Sequence, residues 1–196
     1  MRLRSDGRVL DHVATPGKRL LVISPHADDA ELGCGGYMFR TAEVSGAVLN
    51  LVVAVGDVRF AHLGRVVTRA ERMAELERSM AVLRAESRVL LTEHDRYLDI
   101  MPLADLVTAL EVTISGFRPT EILMPLPSSH QDHEAVYRAS VAACRPSSLT
   151  GSVQLIAAYE YSATSWGAGS AAAAATAAHP ARRSVPGVRR TLVRRQ

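Results

Sequence analysis

The sequence predicts an α/β fold, a three-layer sandwich around a mostly parallel sheet. Three observations support it. Apolar runs alternate along the chain with amphipathic segments of helical period, the pattern of strand–helix–strand units. The runs, such as Leu20-Leu21-Val22-Ile23, lack polar alternation, as expected of strands buried on both faces. Clusters of ionisable residues follow directly after two of them, where parallel sheets place their ligand sites. At 196 residues the chain is long enough for one domain with an adequate core.

Residues 1–18 are polar and without period, and they read as a loose lead-in with Pro16-Gly17 as a turn. The first strand is Leu20 to Ser24. A helix follows from Leu32 to Ser45; its glycine-rich start allows close packing on the strand end, and Gly46 stops it. Ala47 to Val55 is the second strand, and a loop with Arg59, His62 and Arg65 comes after it. From Val67 to Ala85, Met73, Leu76, Met80 and Leu83 form one helical stripe opposite a charged face.

Arg88 to Thr92 is the third strand, and Glu93 to Asp99 a polar loop. Pro102 suits a helix start, and Leu103, Leu106, Val107, Leu110 and Ile114 carry that helix to Gly116. Glu121 to Pro125 is the fourth strand. The polar cluster Ser128 to Glu134 leads into a helix through Val136, Ala139, Ser140 and Ala143, which stops before Pro146. Val153 to Ser162 is the last strand. Residues 1–162 therefore read as one domain. Residues 163–196, with the run Ala171 to Ala175 and Arg/Val/Pro/Gly repeats, read as an atypical, disordered tail. The same composition is typical of an out-of-frame reading of a GC-rich gene.

Composition narrows the function classes. The tail holds six arginines and no acid; the rest carries 17 basic against 20 acidic residues. The body is mildly acidic, so the charge gives no footprint for nucleic acid. Two cysteines, Cys34 and Cys144, cannot make a disulfide framework and read as buried thiols. The sequence has no apolar run of membrane-spanning length, and its start lacks a secretory h-region. The expected location is cytoplasmic, without a membrane or nucleic-acid partner; a homo-oligomer is left open.

The chemistry concentrates in two clusters. His26, Asp28 and Asp29 follow the first strand, and His130, Asp132 and His133 follow the fourth. A catalytic zinc takes about three protein ligands and keeps a position for water. His26 and Asp29, three residues apart, can converge in a turn, and His133 is the natural third ligand. Asp28 is then left over beside the water as general base. His130 is placed to stabilise an oxyanion, and Asp132 to hold the His130 ring in one tautomer. Zinc fits this set, and so do ferrous iron or another divalent metal. Each half alone is a weak signal: an Asp pair is commonly a cap or turn. Gly33-Cys34-Gly35-Gly36 does not match G-x-G-x-x-G, and nearby acids would repel a pyrophosphate.

Pro25-His26-Ala27-Asp28-Asp29-Ala30-Glu31-Leu32-Gly33-Cys34-Gly35-Gly36 resembles the P-H-P-D-D-x-E-x-G-x-G-G signature of PIG-L/LmbE-like N-acetylglucosaminyl deacetylases. His130-Gln131-Asp132-His133 resembles their H-x-D-H motif, and Arg72-Met73-Ala74-Glu75 their R-x-x-E element. The likeness runs from about Leu20 to Tyr161, with Ala27 in place of the usual proline. It implies a Rossmann-like fold and metal-dependent removal of an N-acetyl or N-acyl group from a GlcNAc-type amino sugar. That sugar belongs to a small molecule or glycoconjugate. The resemblance implies the same roles for His26, Asp28, Asp29, His130, Asp132 and His133. It also implies sugar contacts from an Arg and an Asp, for which Arg65 and Asp99 are the candidates. The alternative is a metal-containing sugar-binding protein of the same fold without turnover.

Overall fold

A computed structural model describes residues 2–5, 8–11, 16–92, 97–160 and 189–192. Where the sequence predicts a loose lead-in, β1 (Arg2–Ser5) and β2 (Arg8–Asp11) pair as an antiparallel hairpin. The signal was the Asp6-Gly7 dipeptide between them, a sequence preference of two-residue hairpins. The main chain then runs β3 (Arg19–Ser24), α1 (Asp29–Glu43), β4 (Ala47–Ala54), β5 (Val58–Phe60), β6 (Arg65–Val67), α2 (Arg69–Leu83) and β7 (Glu86–Leu91). It continues with α3 (Leu103–Phe117), β8 (Glu121–Pro125), α4 (Gln131–Ala143), β9 (Leu155–Tyr159) and β10 (Arg189–Leu192).

Six strands form one sheet in the order β10-β9-β8-β3-β4-β7, every neighbour parallel. From β3 the chain moves outward through β4 and β7, then returns to β8 on the other side. The order therefore reverses between β3 and β8, the topological switch point of an open α/β sheet. Both strands carry one of the polar clusters at their carboxyl ends.

Alternation along the strands builds the two outer layers. Leu21, Ile23, Leu49, Leu51 and Val53 meet Leu106, Leu110 and Ile114 of α3 and Val136 and Ala139 of α4. Leu20, Val22, Val48 and Val52 meet Ala30, Cys34 and Met38 of α1 and Leu76 and Met80 of α2. Strand residues Leu20 to Ile23 are wholly buried, as the unbroken apolar run required.

Element bounds shift where caps outrank periodicity. The first helix begins at Asp29, not Leu32, with Asp28 as its N-cap residue. Thr68 caps α2, its hydroxyl accepting from the Glu71 N–H while the Glu71 carboxylate accepts from the Thr68 N–H, so the helix starts at Arg69. Helix α3 runs past Gly116 to Phe117 and ends on Arg118, which takes the left-handed position usually filled by glycine (φ 50°). The loop expected after the second strand contains the β5–β6 hairpin. Residues 93–96 of the polar loop, 161–162 of the last strand and most of 163–196 lie outside the described residues. Within that last stretch, Arg189–Leu192 extends the sheet beside β9.

Candidate metal centre

The chain leaves β3 through Pro25, whose carbonyl accepts the Ala54 N–H at 3.0 Å. That bond ties the turn to the end of β4. The turn carries His26 and then enters α1, whose first residue is Asp29. The Asp29 Oδ2 accepts the backbone N–H of His26 at 2.9 Å, closing the turn on itself. His130 caps α4 and accepts the Asp132 N–H on Nδ1 at 3.3 Å; its own N–H goes to Ser128 Oγ at 3.1 Å. Asp132 and His133 thus enter the first turn of α4, facing the end of β3.

The two clusters meet. His26 Nδ1 lies 3.5 Å from Asp29 Oδ2, and His133 Nε2 lies 3.4 Å from Asp29 Oδ1. One ligand atom from each of His26, Asp29 and His133 falls within 4.8 Å of the others. The rings of His26, His130 and His133 form a triangle with centroids 5.1, 5.3 and 5.7 Å apart. His133 and Asp29 are buried, and His26 is nearly so. Asp28 is exposed at the mouth of the adjoining cavity.

Asp132 departs from its expected partner. Its Oδ2 lies 3.0 Å from His26 Nε2, and its Oδ1 accepts the Leu98 N–H at 2.9 Å. The carboxylate therefore steadies the His26 ring from behind, while its backbone N–H serves His130. His26, His130 and Asp132 form a second close set of donors that shares His26 with the first.

Charge in the site is organised by burial against pairing. Burial opposes the His26 cation, yet hydrogen bonds and charge from Asp132 and Asp29 outweigh it and raise its pKa to about 9. Burial works to raise Asp29, but the His26 hydrogen bond and the charges of His133 and His26 hold it below the usual carboxylate range. Asp132 is likewise lowered, against the push of burial, by His26 and the Leu98 N–H. Burial and the neighbouring His26 and His130 charges lower His133, despite Asp29. An ionised carboxylate beside a neutral imidazole is the protonation state that metal ligation demands. His26, Asp29 and His133 fit a divalent metal by donor type and spacing; Asp29 is already ionised and His133 neutral, and a bound metal would displace the proton from His26.

A cavity of about 670 Å³ opens from these residues between α1, α2 and the β5–β6 hairpin. Its wall includes Asp28, His130, Glu31, Ser79, Arg72 and Glu75. Glu31 accepts a 2.6 Å hydrogen bond from Ser79 Oγ, and burial raises its pKa. Arg65 and Asp99 are exposed, and neither is among the described residues that line this cavity. The arginine that lines it is Arg72, whose Nη1 donates to the Gly56 carbonyl at 3.0 Å. The R-x-x-E element, not the loop before it, was the signal for this wall.

A family model described as GlcNAc-PI de-N-acetylase, PIG-L, matches residues 21–144. The uncharacterized deacetylase YaiS of Escherichia coli (strain K12) is 30% identical over 138 residues, covering 67% of this chain and 71% of that protein. A deacetylase of the teicoplanin biosynthetic pathway, solved as a triple mutant, superposes with a TM-score of 0.56 at 25% identity. The match covers 65% of this chain and 59% of that one. The A40926 pseudoaglycone deacetylase Dbv21 superposes with a TM-score of 0.55 at 27% identity, with the same coverages of 65% and 59%. The chain thus spans about 59% of the length of these two solved chains.

Proposed function

The chain belongs to the PIG-L deacetylase family, and from that premise we propose that it hydrolyses the N-acetyl group of a GlcNAc-type amino sugar. The observation that carries the proposal is the meeting of His26, Asp29 and His133 at the ends of β3 and β8, with Asp28 exposed beside them. His26, Asp29 and His133 would hold a divalent metal, zinc or ferrous iron. When bound, such an ion supplies Lewis acidity and lowers the pKa of a coordinated water towards ~7.

The chain's own groups do the remaining work. Asp28 has a free, solvent-facing carboxylate; it takes a proton from the attacking water and returns it to the leaving amine. As water oxygen bonds to the carbonyl carbon, the amide C–N bond breaks, giving acetate and the free amino sugar. His130, on the wall of the same cavity, donates to the oxygen on which charge develops. Asp132 fixes the His26 ring through Nε2 and takes the Leu98 N–H, which holds the start of α4 in place. Arg72 and Glu75 reach the cavity from one face of α2 and offer a donor and an acceptor to sugar hydroxyls.

The test is acetate release from small N-acetylglucosaminides, with metal content measured on the same sample. Wild type should release acetate, and Asp28→Ala should retain metal while losing about 10²–10⁴-fold in turnover. His133→Ala should lose the metal. Undiminished turnover by Asp28→Ala removes it as the base. Sugar binding without acetate release would favour the non-catalytic alternative.

A further inference from the structure

The two arms of the site come from opposite sides of the switch point. His26, Asp28 and Asp29 lie on the β3–α1 turn; His130, Asp132 and His133 lie over a hundred residues later. Ligand sets work only when their donors are held to within roughly 0.5 Å. Something outside the ligand set must therefore fix one arm against the other.

Tyr159, the last residue of β9, touches both arms in three ways. Its hydroxyl donates to the Ile23 carbonyl at 3.0 Å, three residues before His26. Its ring lies against Gly33, in the first turns of α1: a Cβ on Gly33 would stand 2.3 Å from Cδ2 and 2.8 Å from Cε2. Its carbonyl accepts the Leu126 N–H at 2.8 Å, at the start of the segment that leads to His130. The side chain is 1% exposed. A ring that no Cβ could face, bonded at its tip to the strand end, fixes both the distance and the angle between β3 and α1. Its backbone sets the exit of β8 in the same frame. Just beyond Gly33, Cys34 departs from helical geometry (φ −145°, ψ 17°), so α1 bends where the ring sits.

We infer that Tyr159 is a positioning residue of the metal centre, acting through Ile23 and Gly33 on the turn that carries His26 and Asp29. The inference rests on the metal reading above. Gly33 is the other half of the device: it is small because the Tyr159 ring occupies the place of its side chain.

The test compares Tyr159→Phe, Tyr159→Leu, Gly33→Ala and the double variant Gly33→Ala/Tyr159→Leu. Each is measured for Co²⁺ affinity by chelator competition, for its Co²⁺ absorption spectrum, and for thermal midpoint without metal. Tyr159→Leu and Gly33→Ala should weaken Co²⁺ binding by about 10–100-fold and shift the absorption bands. Tyr159→Phe keeps the ring and should lose less. In the double variant the smaller side chain makes room for the methyl, so Gly33→Ala should add little further loss. A lowered midpoint with wild-type affinity and spectrum would make Tyr159 a core residue only, and the inference is overturned. If Tyr159→Leu does not fold, Tyr159→Phe and Gly33→Ala decide by the same readouts. Failure of wild type to bind Co²⁺ overturns the metal reading, and this inference with it. Normal binding by wild type and variants alike overturns the inference alone.

Discussion

Asp28 and Asp29 are consecutive carboxylates in opposite environments. Asp29 is 2% exposed and tied to His26 and His133, whereas Asp28 faces solvent. The i, i+3 spacing from His26 made that division readable from sequence, because a turn entering a helix buries one acid and frees its neighbour. The Asp132 partner was not readable: His130, Asp132 and His133 all lie near His26, and only the fold brings the Leu98 N–H to one Asp132 oxygen and His26 to the other. Arg72 was missed as a lining residue for a similar reason, since its reach depends on where Thr68 starts α2. The His26 pairing predicts a pH dependence. With metal removed, the raised His26 stabilises the fold fully below its unfolded pKa of about 6.5, and that contribution is lost as pH rises through about 9. The thermal midpoint of chelator-treated protein should therefore fall between pH 6.5 and 9. Metal-loaded protein should not show that fall, because ligation uses the unprotonated ring. A flat midpoint in the chelated protein would contradict the His26–Asp132 pairing.

The elements divide the work between the two ends of the sheet. At the carboxyl ends, caps and turns aim the ionisable groups. At the amino ends, Lys18 Nζ and Glu121 Oε2 form a buried ion pair of 2.6 Å, and the Tyr37 hydroxyl bridges both. This cluster joins the start of β3, the start of β8 and the middle of α1. A buried pair of this kind matters most when one partner is removed. Lys18→Met should cost about 3–5 kcal/mol in urea unfolding, because it leaves the buried Glu121 carboxylate hydrogen-bonded to Tyr37 but without its countercharge. It should leave the metal affinity of the folded protein unchanged, since the cluster lies at the far end of β3. A cost below about 1 kcal/mol would show that the Tyr37 hydroxyl suffices for Glu121 without the cation. Strands β3, β4 and β8 were legible in the sequence because burial on both faces leaves unbroken apolar runs. The β5–β6 hairpin was not, because its strands are three residues each and carry no run long enough to read.

At the scale of the whole molecule, strand order is what turns two weak motifs into one site. Neither cluster specifies its partner; their convergence required β3 and β8 to be neighbours, and the sheet places them so. The sequence supplied the alternation of strands and helices, but not the order of strands, which long-range packing selects. No helix among the described residues is long and apolar enough to cross a membrane. In the proposed mechanism both arms of the switch point hold one metal ion. Metal stoichiometry of purified wild type, Asp29→Ala and His133→Ala, each checked for native folding by circular dichroism, tests it directly. The prediction is one tightly held divalent ion per wild-type chain and near-complete loss in both variants. Folded Asp29→Ala or His133→Ala protein that keeps its full complement of metal would contradict it.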